Sequence, residues 1–166
     1  MEMKLRPWHL NDLINLVKNA NNSKIAANLT DLFPHPYYKK DGVKYIQMTL
    51  KQSPIQVFAI EVNQKAVGSI GLHPLTDIHR KNMELGYWLA EGYWNNGIMT
   101  AAVQQMTLYG FKTFDINRIF ARPFSSNIGS QKVLEKAGFK LEGRFKNAII
   151  KNGIYVDELI YAVYKT

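Results

Sequence analysis

A chain of 166 residues with 46% hydrophobic and 20% charged residues has the composition of one ordinary globular domain, which excludes a disordered chain. It contains no cysteine, which excludes disulfides, thiolate metal sites and a cysteine nucleophile. The formal net charge of +8 is uneven: residues 112–151 hold nine Lys or Arg against Asp115, Glu135 and Glu142, a local balance of +6. That excess points to a polyanionic ligand or surface, or simply to solvated faces.

No low-complexity tract, repeat or linker divides the chain, so residues 1–166 read as a single domain. The Met1-Glu2-Met3-Lys4 start lacks the apolar core of a signal peptide, and no run approaches membrane-spanning length. A soluble, cytoplasmic protein without membrane attachment is expected.

In chain order, Lys4 to Trp8 predicts a short strand. A helix follows, with Leu10, Leu13, Ile14 and Val17 at i, i+3, i+4, i+7 spacing. Asn19, Asn21 and Asn22 weaken its continuation, and the prolines of "LFPHPYYKK" (32–40) predict a loop. Asp41 is placed to cap a further helix with Val43, Ile46, Met48 and Leu50 on its apolar side. "VFAIEV" (57–62) and "AVGSIGL" (66–72) then read as a hairpin, and "MELGYWL" (83–89) as a third strand. Beyond it come a helix over about 98–112, a strand at 118–122 and a helix over about 128–137. Two closing strands are joined through Asn152-Gly153, a strong hairpin signal. This is an α+β, or mixed α/β, plan with a central sheet and helices on its faces.

The abrupt passage from strand to helix in "GYWLAEGYWNNGIMTAAVQQM" (86–106) is the feature that bears on function. The first N–H groups of a helix beginning after Gly97 have no carbonyl partner, and the helix dipole adds partial positive charge there. With glycine allowing close approach, this suits a phosphate, although a tight turn alone would also explain the glycine. There is no Walker loop, no full dinucleotide fingerprint and no G-x-S-x-G elbow, and His9, His35, His73 and His79 show no paired metal spacing. The second helix, "SSNIGSQKVLEKAGF" (125–139), offers Asn127 as its cap and Gly138 as its stop, with Ser130 and Lys132 near its start.

"GYWLAEGYWNNGIMTAA", followed about 30 residues later by "FSSNIGSQKVLEKAGFKLEG", resembles the GNAT superfamily of acyl-CoA N-acyltransferases, in particular its ribosomal-protein N-terminal acetyltransferase branch. "LRPWHLNDL", "GSIGL" and "NGIYVDELIYAVY" extend the resemblance over nearly the whole chain. In the superfamily's phosphate loop only Gly97 matches the usual pattern; Trp94 and Met99 hold the outer positions, and Ala101 stands where many relatives carry Glu.

The resemblance implies a central, mixed, mostly antiparallel sheet with one splayed pair of parallel strands, and acetyl-CoA as co-substrate without a metal. It places the pantetheine against the backbone of Trp88, Leu89 and Ala90 and the pyrophosphate against Asn95, Asn96, Gly97, Ile98, Met99 and Thr100. Asn127 is expected to hydrogen-bond the cofactor arm or to serve only as a helix cap. Glu84 is the candidate general base, or a solvated strand carboxylate. Ser130 is the candidate acid for the leaving thiolate, or a structural hydroxyl.

The expected function is acetylation of a primary amine, foremost a protein N-terminal α-amine. Its alternatives are a small amine such as an amino acid, polyamine or antibiotic, and a non-catalytic acyl-CoA sensor. Nucleic acid enters only through proximity to a ribosome. Trp8, Tyr37, Tyr38 and Trp94 line an acceptor pocket or belong to core and rim. Tyr161 and Asp157 stay outside the catalytic set, and the sequence leaves the oligomeric state open.

Overall fold

The computed structural model describes residues 2–166. Its elements run β1 (Met3–Arg6), α1 (Leu13–Ala20), α2 (Ser23–Ala26), α3 (Lys39–Leu50), β2 (Val57–Val62), β3 (Lys65–Pro74), β4 (Asn82–Leu89), α4 (Ile98–Thr113), β5 (Arg118–Ala121), α5 (Ile128–Lys136), β6 (Lys140–Lys151) and β7 (Ile154–Tyr164). The strands form one seven-stranded sheet in the order β1-β2-β3-β4-β5-β7-β6. Only β4 and β5 are parallel, as a strand-helix-strand crossover through α4 requires. Every other pairing is antiparallel.

Strand alternation divides the apolar residues between two faces. On one face Ile70, Leu72, Met83, Leu85, Ile119 and Leu159 pack against Ala102, Val103 and Met106 of α4 and Leu134 of α5. On the other, Val57, Ala59, Ala66 and Trp88 meet Leu16 and Ala20 of α1, Ile46 of α3 and Trp8. Each large side chain so buried contributes roughly 1.5–3 kcal/mol relative to exposure. Gly138 follows α5 in a left-handed conformation, and Phe139 folds back to 2% exposure, as the sequence predicts.

Three local expectations are corrected. The buried side of α1 is Leu16 and Ala20, flanked by Leu13 and Val17; Leu10 and Ile14 are 55% and 81% exposed, because the chain enters the helix through a 3-10 turn that rotates the apolar stripe. In α3 the cap is Tyr38, and Asp41 sits in the first turn, its carboxylate accepting from the Tyr38 N–H at 2.8 Å. Met48 and Leu50 are exposed, while Gly42, Ile46 and Thr49 face inward.

A charged cluster unmarked in the sequence ties β1 to β2. Arg6 donates to both oxygens of Asp12 at 2.7 and 2.8 Å and to Glu61, while Lys4 reaches Glu61 at 2.9 Å. Asp12 and Glu61 are both buried; among the described residues Arg6 is the one cation paired with Asp12, and it shares Glu61 with Lys4.

Candidate active site

The site follows from how β4 shares its backbone groups between two neighbours. Ala90 N–H donates to Val67 O at 2.8 Å and Leu75 N–H to Asn82 O at 3.2 Å, with an unbroken antiparallel register between. Even-numbered residues of β4 therefore direct their N–H and C=O groups to β3, and odd-numbered ones to β5. The parallel pairing with β5 runs only from Asn82↔Arg118 to Glu84↔Phe120. Beyond it β5 turns away to follow β7, with Pro123 O accepting from Leu159 N–H. The backbone edge at Tyr87 and Leu89 is left facing a cleft of about 880 Å³.

This parity corrects part of the sequence reading. Trp88 and Ala90 direct their backbone groups to β3, so of the predicted trio only Leu89 presents its backbone to the gap. The Leu89 carbonyl is taken by the Trp94 indole N–H at 2.8 Å, leaving the Leu89 N–H as the group on offer. Trp88 and Leu89 line the cleft.

At the end of β4 a short turn carries the chain into α4. Asn95 and Gly97 have φ of 61° and 74°, and Gly97 caps the 16-residue α4 without any side-chain hydrogen bond. Ala101 N–H makes the first intrahelical bond, to Gly97 O at 3.1 Å. The N–H groups of Ile98, Met99 and Thr100 therefore lack helical partners and open onto the cleft, which Asn95, Asn96 and Gly97 also line. These amides and the dipole of a long helix fit a pyrophosphate without side-chain charge.

The α5 wall is built by Asn127, whose side-chain oxygen accepts from Ser130 N–H at 3.1 Å. The cap reading of Asn127 is thus realised; the residue lines the cleft, and its amide nitrogen makes no hydrogen bond among the described residues. Asn127→Ala should lower stability by about 1 kcal/mol through loss of that cap, read from chemical unfolding. Ser130 Oγ lies 2.7 Å from the Tyr87 hydroxyl. Burial pushes the Tyr87 phenol well above the usual tyrosine range, only partly offset by that hydrogen bond, so the group is neutral at physiological pH.

Glu84 stands where the β4/β5 ladder opens, gripped by Arg122: Nε and Nη2 donate to the two carboxylate oxygens at 2.9 Å each. This bidentate pair staples the splayed strands at their last point of contact. Across the cleft, Glu91 accepts from Lys24 and, at 2.9 Å, from Asn22, tying α2 to the turn before α4. Tyr87 and Arg122 were not singled out from the sequence. Their partners are 43 and 38 residues away, and only the parity of β4 and the end of β5 reveal them.

The aromatic candidates separate cleanly. Trp8 and Tyr37 are core, Tyr38 is exposed, and Trp94 lines the cleft. Asp157 accepts from Arg144 at 2.6 Å and from Asn147 N–H at 2.8 Å, and Tyr161 donates to Glu135 at 2.9 Å, so both have local structural partners. Much of the basic segment is likewise paired: Arg118 with Glu142, Arg122 with Glu84, Arg144 with Asp157 and Lys151 with Asp31. Lys132 and Lys136 line the cleft, adding positive charge where a phosphorylated ligand would lie. Among the described residues no helix is long and apolar enough to cross a membrane, and no group of His, Asp and Glu is placed to hold a metal.

Residues 2–140 match the family model of the acetyltransferase (GNAT) domain. The probable N-acetyltransferase YjcK of Bacillus subtilis strain 168 is 32% identical over 166 residues, covering 96% of this chain and 92% of its own. Among solved structures, the ribosomal L7/L12 alpha-N-protein acetyltransferase RimL, in complex with coenzyme A, superposes with a TM-score of 0.86 at 24% identity, over 98% of this chain and 93% of that one. Spermidine N-acetyltransferase from Vibrio cholerae, in complex with CoA and spermine, superposes with a TM-score of 0.81 at 21% identity, over 98% and 95%. The family-model match and the near full-length relative agree with a sheet opened between β4 and β5 onto bare helix amides: the chain belongs to the GNAT acetyltransferase family and is an acetyl-CoA-dependent N-acetyltransferase.

Proposed function

We propose that the protein acetylates a primary α-amine, foremost the N-terminus of a protein, by direct attack of the amine on the thioester of acetyl-CoA. The observation that carries this reading is the charge of the cleft. Among the described residues lining it, Glu84 is the only carboxylate, and it is held by Arg122; Lys132 and Lys136 add positive charge, while Lys24 is balanced by Glu91. A polyamine finds no unpaired carboxylate among those lining residues. A base already engaged by a guanidinium also favours an amine that needs little deprotonation. At pH 7.5 about a third of an α-amine of pKa near 7.8 is neutral, against roughly one in a thousand lysine side chains. The α-N-protein specificity named for RimL accords with this reading; the spermidine specificity of the Vibrio enzyme is the rival.

Bound acetyl-CoA supplies an acyl carbon already activated by its sulfur. The amides of Ile98, Met99 and Thr100 hold the pyrophosphate, in a loop shaped by Asn95, Asn96 and Gly97. The β4 edge at Tyr87 orders the pantetheine as a strand partner would, and Asn127 Nδ2 supports the same arm. Leu89 N–H faces the developing oxyanion. Glu84 receives the amine proton through water, and the Ser130 hydroxyl hydrogen-bonds the departing sulfur.

Two experiments test these roles. Intact-mass analysis of a panel comprising peptides with free N-termini, the same peptides N-blocked but containing lysine, free amino acids and spermidine should find turnover concentrated on the free α-amines. Equal turnover on blocked peptides or on spermidine would overturn the acceptor assignment. Glu84→Gln should lower kcat about 100-fold or more while acetyl-CoA affinity changes less than about twofold; undiminished kcat would remove Glu84 from the mechanism.

A further inference from the structure

We propose that Tyr87 positions Ser130 for catalysis, donating its phenolic hydrogen to Ser130 Oγ so that the serine's own hydrogen is aimed into the cleft at the sulfur of bound coenzyme A. The inference rests on the role given to Ser130 above and adds a residue to it.

Strand parity places Tyr87 on the face of β4 that looks toward α5, with its hydroxyl 2.7 Å from Ser130 Oγ and 3.5 Å from Ser130 O. The shorter contact is the hydrogen bond; the longer is at the limit of one. A serine near a helix start commonly turns its hydroxyl back to a carbonyl on the preceding turn. Ser130 does not: its N–H is capped by Asn127, and among the described residues its Oγ has no partner except Tyr87. A hydroxyl has one hydrogen and two lone pairs. Accepting from Tyr87 uses a lone pair and leaves the hydrogen for a ligand in the cleft, which both residues line. The neutral phenol always has its proton to donate, and its environment opposes giving it up.

The step balances without proton transfer from either hydroxyl. The amine nitrogen bonds to the acyl carbon, the carbon–sulfur bond breaks with its electron pair going to sulfur, and the amine proton leaves through Glu84 and water. A thiolate with a conjugate acid pKa of about 8.5 does not deprotonate an alkyl hydroxyl but accepts a strong hydrogen bond from it. Tyr87 thus lowers the barrier by fixing the direction of that bond.

The test uses Tyr87→Phe, which keeps the packed ring, Ser130→Ala and the double variant. With the best acceptor of the panel, Tyr87→Phe should lower kcat about 5- to 10-fold, and in the Ser130→Ala background it should cost less than about twofold more. The same fractional loss in both backgrounds, or no loss from Tyr87→Phe alone, would overturn the proposal. If Ser130→Ala retains full kcat, the role of Ser130, and with it the positioning role, is overturned, leaving the acetyltransferase assignment intact.

A readout independent of turnover is calorimetric titration with coenzyme A and with desulfo-coenzyme A between pH 7 and 9. The intact protein should gain affinity for coenzyme A relative to the desulfo analogue as the thiol ionises, by about 3- to 10-fold, and both single variants should lose most of that gain. An undiminished gain in folded Tyr87→Phe would contradict the assignment even if no acceptor were found.

Discussion

Replacing Gly97 by glutamate should weaken acetyl-CoA binding by at least about 100-fold, equivalent to roughly 2.7 kcal/mol, in a protein that still folds. A Cβ at Gly97 meets no heavy atom within 4 Å, so the side chain has room. The φ of 74° imposes strain of about 1–2 kcal/mol on any L-residue, which the fold can bear. The carboxylate would stand before the bare amides of Ile98, Met99 and Thr100, where it occludes the pyrophosphate and repels it. Gly97→Ala supplies the strain without the charge and should lose less than about tenfold in affinity. Calorimetry, with circular dichroism to verify folding, separates the cases. Full affinity in the glutamate variant would show that the pyrophosphate lies elsewhere.

The largest expected effect on stability is at Arg6. Arg6→Met should destabilise the fold by about 3–5 kcal/mol, because it leaves the buried carboxylates of Asp12 and Glu61 without their guanidinium. At this length that corresponds to a fall in Tm of roughly 10 °C or more. Adding Asp12→Asn and Glu61→Gln should recover much of the loss by removing the uncompensated charge. Chemical unfolding of the single and triple variants measures both.

The cluster also fixes the acid limb of stability. Burial raises the Asp12 carboxyl, but hydrogen bonds from Arg6 and the His9 N–H together carry it below the ordinary carboxylate range. Hydrogen bonds from Arg6 and then Lys4 do the same for Glu61. Groups depressed in the folded state contribute fully above their unfolded values, about 3.9 and 4.3. That contribution fades as pH falls through the lower folded values. The intact protein should therefore hold its stability down to about pH 5 and lose it below about pH 4. The gap between it and Arg6→Met should narrow over the same range. A gap independent of pH would mean that Arg6 acts by packing alone.

The parts of the molecule legible in the sequence are those encoded within a few residues. The strand running into Asn95-Asn96-Gly97, the Asn127 cap, the Gly138 stop and the Asn152-Gly153 hairpin each depend on local backbone preference, and each forms as read. What escaped depends on partners far along the chain. Which residues of β4 face the gap follows from its register with β3, set across an irregular connection between Pro74 and Asn82 that carries no periodic signal. Hence the sequence points to Trp88 and Ala90, whose backbone groups the register commits to β3, and does not mark Tyr87. The grip of Arg122 on Glu84 depends on where β5 stops, and the Arg6 cluster on a contact 55 residues long in sequence. The α1 stripe misled for a different reason: Leu10 and Ile14 keep helical spacing, but the 3-10 entry at Leu10–Asp12 shifts its phase.

The measurement that bears most directly on this account is an amide-detected NMR titration of the 19.1 kDa protein with acetyl-CoA. Binding as described should move the Ile98, Met99 and Thr100 amides most, by direct hydrogen bonds to phosphate, followed by Tyr87 and Leu89 on the β4 edge. Amides of Trp88 and Ala90, already bonded to β3, should shift less. Saturable binding that leaves Ile98–Thr100 and Leu89 unmoved, or that perturbs Trp88 and Ala90 instead, would contradict the site.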